Sequence, residues 1–253
     1  MHRKTFLLSL FILALVGEVG AISFRQIAYI PKGMTWGYGY IRGADMNHDG
    51  FQDLAFSATV QPLTGGILYY GYRPFNRYVS EDSFPRAVFW DVGYLDQDSL
   101  LDIAAQAWDS SNITYVRVYE SASRDSFPMQ LVWSWRYELN GYGVQPIYIT
   151  DMDRDNQKEM FTADASVLYV FECRGDNDYQ KVFWDTVKVN PVIDPTMAIG
   201  DFDNDGSTEF TIPCIDGRPN VLVYECIGDD RYQMIWTDTL NTVNMSDANT
   251  GPD

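Results

Sequence analysis

Fifteen oxygen-bearing side chains stand in four short runs whose spacing suits the capture of a hard cation. Asp45, Asn47, Asp49 and Asp53 form the first run, and Asp96, Asp98 and Asp102 the second. Asp151, Asp153, Asp155 and Glu159 form the third, and Asp201, Asp203, Asp205 and Glu209 the fourth. They fall at positions 1, 3, 5 and 9 of a loop of one design, with Gly50, Asn156 and Gly206 as turn residues at position 6 of three copies. At an effective dielectric near 20, two like charges ~5 Å apart repel by roughly 3 kcal/mol, and a bound dication reverses that sign. Calcium is the expected ion, because it accepts many oxygens in flexible geometry, whereas magnesium demands a tight octahedron. Zinc and copper favour His and Cys, and beyond the N-terminal leader the chain has one histidine, His48. The backbone carbonyl of position 7 is expected to complete each cage.

The copies are unequal. The fourth combines four acids with Gly206 and is expected to bind best; the third has four acids, and Asn156 tolerates left-handed backbone nearly as glycine does. The first keeps Gly50 and uses Asn47 as a neutral ligand, while the second has Tyr94 at position 1 and Ser99 at position 6 and is expected to bind weakly or not at all. A single Asp-rich turn reads equally well as an Asx-turn without metal. Four copies, whose first positions are 49, 57 and 50 residues apart, favour the cation. An EF-hand is excluded: position 12 holds Phe56, Ala105, Thr162 and Ile212, and a strand rather than a helix must follow.

Strands must position these loops. Val167–Cys173 runs to Gly175-Asp176 and resumes at Tyr179; the same order recurs as Val221–Cys226, Gly228-Asp229 and Tyr232. Each unit of about 50 residues is therefore expected to hold four short strands: one into the acidic loop, one out of it, and a hairpin with a Gly-Asp turn. Val221 to Tyr224 is apolar at every position, which predicts a strand covered on both faces. Phe210, Ile212 and Cys214 alternate with Thr211 and Pro213, which predicts one core-facing side. No stretch beyond the leader has sustained helical periodicity. Four strands per fixed period predict an all-β fold of β-propeller type, with four blades visible; a plain sandwich does not account for the period. A fifth loop would begin at about the position where the chain stops, so the sequence is expected to be the front part of a longer protein with an incomplete ring.

Arg3 and Lys4 ahead of the apolar run Phe6–Val16, with Val19-Gly20-Ala21 after it, predict a secretory signal peptide over 1–21. Residues 22–253 then carry the repeats, exported to the cell exterior, the cell surface or a periplasm. No later segment is long and apolar enough to span a membrane. The net charge of −17 argues against nucleic-acid or anionic-membrane partners, and the fourteen loop acids account for all but three of it. Cys173, Cys214 and Cys226 are expected to be free thiols, since Cys173 and Cys226 hold equivalent places one repeat apart.

The runs Ala44–Gly50, Thr150–Asp155 and Gly200–Gly206, each followed by an acid and an apolar strand, resemble the FG-GAP (VCBS) repeats of integrin α-chain propellers and of exported bacterial proteins. The resemblance covers nearly all of 22–253 and implies four-stranded blades with a calcium loop joining the first two strands on one rim. Tyr94 departs from the pattern. That family spans adhesion proteins, lectin-like modules and scaffolds of larger enzymes, so it identifies a fold rather than an activity.

Arg174-Gly175-Asp176 spells an adhesion tripeptide, but the equivalent Ile227-Gly228-Asp229 marks it as a turn with an incidental arginine. Trp133, Trp135, Trp184 and Trp236 read as inter-blade packing ahead of a sugar-binding surface, and Asn112 and Asn244 head glycosylation sequons. With His48 the lone histidine beyond the leader, no nucleophile–base set can be drawn and no enzyme is expected. The reading is a calcium-stabilised binding, adhesion or scaffold module for a protein or glycan ligand at the cell surface. The alternative is a carbohydrate-binding module of a larger extracellular enzyme or adhesin.

Overall fold

The structure, a computed structural model, describes residues 41–60, 64–73, 77–139, 147–164, 166–187, 197–214 and 221–238. The leader 1–21, the Asn244 sequon and the chain end lie outside them. The described residues form sixteen strands and no helix. They assemble into four antiparallel sheets, each a four-stranded meander in chain order. Sheet 1 holds β1 (Ile41–Ala44), β2 (Asp53–Val60), β3 (Thr64–Arg73) and β4 (Arg77–Pro85). Sheet 2 holds β5 (Ala87–Gly93), β6 (Asp102–Trp108), β7 (Thr114–Ser121) and β8 (Pro128–Arg136). Sheet 3 holds β9 (Tyr148–Thr150), β10 (Glu159–Asp164), β11 (Val167–Gly175) and β12 (Asp178–Thr186). Sheet 4 holds β13 (Ile199–Gly200), β14 (Thr208–Pro213), β15 (Val221–Gly228) and β16 (Arg231–Asp238).

The sheets repeat one another in detail. In each, the pairing of the third and fourth strands shifts register at one equivalent place: Tyr69/Tyr70, Val118/Tyr119, Val170/Phe171 and Val223/Tyr224. Such a bulge adds local twist. The acidic loop always joins the first strand to the second, as the repeat pattern predicts.

Period-2 alternation sends neighbouring residues of one strand into different cores. From β6, Ile103, Ala105 and Ala107 pack against Met46, Ala55, Ile67 and Tyr69 of the first repeat. Ala104 of the same strand joins Val116 and Val118 against Tyr169, Phe171 and Tyr179 of sheet 3. From β10 and β11, Phe161, Leu168 and Val170 pack on Phe210, Ile212, Leu222 and Tyr224 of sheet 4. The four sheets are thus joined in series, and sheets 2 and 3 are covered on both faces.

Sheet 4 departs from expectation. Along β15, Leu222 and Tyr224 are buried while Val221 and Val223 are only half-buried. The all-apolar run therefore belongs to a strand with one covered face among the described residues. β14 does alternate as predicted, with Phe210, Ile212 and Cys214 buried and Thr211 and Pro213 half-buried. Trp133 and Trp135 pack edge-on against Phe171, as the packing expectation requires. Trp184 and Trp236 are exposed, which corrects that expectation for these two. All three cysteines are free; Cys173 and Cys214 are buried and Cys226 is half-buried. Burial pushes the Cys173 and Cys214 thiols up to about 11, so they are unreactive at neutral pH.

Candidate metal centres

One hydrogen-bond pattern shapes all four loops. The N–H of position 5 donates to the side-chain oxygen of position 3: Asp49 to Asn47 at 3.2 Å, Asp98 to Asp96 at 3.0 Å, Asp155 to Asp153 at 3.2 Å and Asp205 to Asp203 at 3.2 Å. Position 7 donates to the position-5 carboxylate at 2.6–3.0 Å in every copy. The position-9 acid then receives the position-2 N–H: Met46 to Asp53 at 3.0 Å, Leu95 to Asp102 at 2.9 Å, Met152 to Glu159 at 2.5 Å and Phe202 to Glu209 at 2.5 Å. These are Asx-turns closed by a carboxylate on the second strand.

The backbone separates copy 2 from the rest. Positions 4 and 6 are left-handed in copies 1, 3 and 4: His48 and Gly50, Arg154 and Asn156, Asn204 and Gly206. Gln97 and Ser99 of copy 2 do not share that conformation. Asn156 at φ 74° does what the sequence predicts for it. The left-handed position 4 is not foreseen, because Arg154 carries no signal for it.

The turns do not use all the carboxylate oxygens. Asp45 Oδ1, Asp151 Oδ1, Asp102 Oδ1, Glu159 Oε1 and Glu209 Oε1 are buried without a hydrogen-bond partner. Buried acceptors left unmatched are costly and call for a partner. Asp151, Asp153, Asp155 and Glu159 converge with one oxygen of each within 4.8 Å of the others, as do Asp201, Asp203, Asp205 and Glu209. These are the predicted sets of the third and fourth loops. Burial lifts the Glu159 carboxyl to about 8, opposed by its Met152 bond and reinforced by Asp153, Asp151 and Asp155. Such a group favours either a proton or a cation.

Two further acid groups cross from one sheet to the next and are not foreseen from the sequence. Asp96 and Asp98 converge with Glu120 of β7 and Asp176 of the sheet 3 hairpin, again within 4.8 Å. Asp102, predicted as their fellow ligand, is not in that set; it lies fully buried on β6, opposite Glu120. Burial raises its carboxyl to about 8, against the Leu95 bond and helped by Asp96, Glu120 and Asp98. In the third loop, Asp153 converges also with Glu172 of β11 and with Asp229 and Asp230 of the sheet 4 hairpin. Burial and Asp230 push Glu172 up to about 7, opposed by Arg174. The Gly-Asp turns at 175–176 and 228–229 carry a signal for both groups and Glu172-Cys173 one for the second, whereas Glu120 precedes a serine; nothing local says that the hairpin meets the preceding loop.

That meeting has fixed geometry. Asp96 Oδ2 accepts the Asn177 N–H at 3.0 Å, and Asp153 Oδ2 accepts the equivalent Asp230 N–H at 3.1 Å. Asn177 and Asp230 are both left-handed, at φ 56° and 55°. A position-3 acid therefore ties its loop to the hairpin of the next sheet. Arg174 is not incidental: it pairs with Glu172 and Asp230. Loop 1 contributes to none of the four convergent groups. There His48 Nδ1 meets the Arg124 carbonyl instead, with its Nε2 3.3 Å from the Tyr94 hydroxyl. Among the described residues, no helix is long and apolar enough to cross a membrane. Compared with family models, curated proteins and solved structures, the chain matches none.

Proposed function

We propose that this chain is an exported, calcium-stabilised β-propeller segment that acts as a binding, adhesion or scaffold module. The observation that carries the reading is the pair of buried, unpartnered oxygens, Glu159 Oε1 and Glu209 Oε1, on convergent four-acid groups. Calcium is the ion whose coordination suits all-oxygen, flexible loops of this kind. Serial packing of four meander sheets supports the blade arrangement, with FG-GAP repeats as the resembling type. The ion's role is structural, and the reading assigns no catalysis.

The test is a thermal melt of the full chain in excess chelator, then with calcium or magnesium restored. An ion at a hundred times its Kd stabilises by about 2.7 kcal/mol per site. Two sites then raise Tm by roughly 10–20 °C in a domain of this size, at about 2–4 °C per kcal/mol. Calcium is expected to restore the melt at lower concentration than magnesium. A melting curve indifferent to the chelator sinks the reading.

The second reading, a carbohydrate-binding module, is favoured by the exposed indoles of Trp184 and Trp236. A glycan array separates the two: retention of a glycan, lost in Trp184→Ala or Trp236→Ala, selects the second.

A further inference from the structure

The two inter-sheet acid groups are built from equivalent positions, and they differ in one residue. Asp96 matches Asp153 at loop position 3, and both accept the N–H of a left-handed hairpin residue. Glu120 faces Asp102 across the strands as Glu172 faces Glu159. Asp176 and Asp229 each follow the hairpin glycine. Two residues beyond the glutamate, however, sheet 3 has Arg174 and sheet 2 has Ala122. At the boundary of sheets 3 and 4 a guanidinium sits on the acids, paired with Glu172 and Asp230. At the boundary of sheets 2 and 3, Asp96, Asp98, Glu120 and Asp176 converge, and among the described residues no Lys or Arg pairs with any of them.

Further groups lie buried at the boundary of sheets 2 and 3. Asp102 is fully buried beside Asp96, Glu120 and Asp98, and its Oδ1 has no partner. Tyr179 reaches over from β12, 5% exposed, and its hydroxyl lies against the Cys173 thiol, with Asp102 and Asp96 close by. The Asn177 side chain donates to Glu120 and Asp176, both at 2.9 Å, which leaves its own buried Oδ1 unmatched. Beyond the N–H groups of Asn177, which meet one oxygen each of Asp96, Glu120 and Asp176, the converging atoms are acid oxygens. A hard divalent cation satisfies them, where a proton would leave the unmatched acceptors unsatisfied.

We propose that the boundary between sheets 2 and 3 holds its own divalent-cation site, formed by Asp96, Asp98, Glu120 and Asp176, in the place that Arg174 fills at the next boundary. The ion is a cross-link: two ligands come from loop 2, one from β7 and one from the hairpin of the following sheet. This makes the second loop, degenerate as a cage of its own, half of a shared one. The site is distinct from those within loops 3 and 4.

The test counts calcium on the full chain by equilibrium dialysis after chelator treatment. Glu120→Gln with Asp176→Asn is expected to remove one equivalent, or weaken it at least tenfold, and leave the others. Ala122→Arg is expected to remove the same equivalent, because the guanidinium replaces the ion; Ala122 is exposed, so the new side chain needs no core space. Arg174→Ala is expected to add one equivalent at the other boundary. An unchanged count in Ala122→Arg overturns the proposal. Should that variant not fold, an unchanged count in Asp176→Asn, at an exposed turn, overturns it equally. Asp201→Asn with Asp205→Asn serves as control for the loop sites. If it loses an ion while the boundary variants lose none, only this inference fails; if no variant binds or loses calcium, both readings fail.

Discussion

The third and fourth acidic loops share their acids, their turn hydrogen bonds and their left-handed positions, yet they sit in different surroundings. In the third, Asp151, Asp153 and Asp155 are half-buried and Met152 is 1% exposed in the core between sheets 3 and 4. In the fourth, Asp201, Asp203 and Asp205 are exposed and Phe202 is 50% exposed. The difference comes from the neighbour. Hairpin residues 229 and 230 of sheet 4 close over loop 3, and no described sheet does the same for loop 4. Loop shape is therefore encoded locally, while burial and electrostatics are conferred by the next repeat, as in other solenoid-like stacks.

The largest test of this contrast is at position 2. Met152→Ala removes a buried anchor between two sheets and is expected to cost about 2–5 kcal/mol. Phe202→Ala, half in solvent, is expected to cost less than about 1 kcal/mol. Denaturant melts of both variants in excess calcium compare them directly. Equal losses would mean that loop 4 is covered as fully as loop 3. A smaller effect is expected at position 3. Asp153→Ala removes the acceptor of the Asp230 N–H as well as the turn bond, whereas Asp203→Ala removes the turn bond alone. Against the loss of the second bond stands relief of repulsion from the surrounding acids. Measured in chelator, where no ion contributes, Asp153→Ala is expected to be the worse by about 1 kcal/mol. The reverse order would show that repulsion outweighs the inter-sheet bond.

Much of this was legible from the residues. Acids at positions 1, 3, 5 and 9 convert directly into a turn network, because each bond spans at most seven residues. Alternation along β14 reads directly as one buried face. What escaped is what depends on a distant partner. Asp96 and Asn177 are 81 residues apart, and Asp153 and Asp230 are 77 apart. No local pattern states that a hairpin lands on the preceding loop, so Glu120, Glu172, Asp176, Asp229 and Asp230 passed as ordinary strand and turn residues. The apolar run of β15 departs from its expected cover for the same reason: Val221 and Val223 have the composition of a covered strand, but cover is supplied by a neighbour that no strand encodes alone.

The covered loop also predicts a pH effect. Glu159 of the folded, ion-free protein titrates at about 8, above its ordinary value of 4.5, chiefly because it is buried. Between those two values the native state holds a proton that the unfolded chain releases. Its contribution to stability is thus complete below pH 4.5 and lost as pH rises through about 8. In chelator, Tm is expected to decline across that window, and Glu159→Gln, which cannot ionise, is expected to flatten the decline. Saturating calcium should abolish it in the parent protein, since the ion favours the charged carboxylate that the proton opposes. A slope in chelator identical for the parent and Glu159→Gln would place the ionisation elsewhere, and would leave burial by sheet 4 without the electrostatic consequence argued for it.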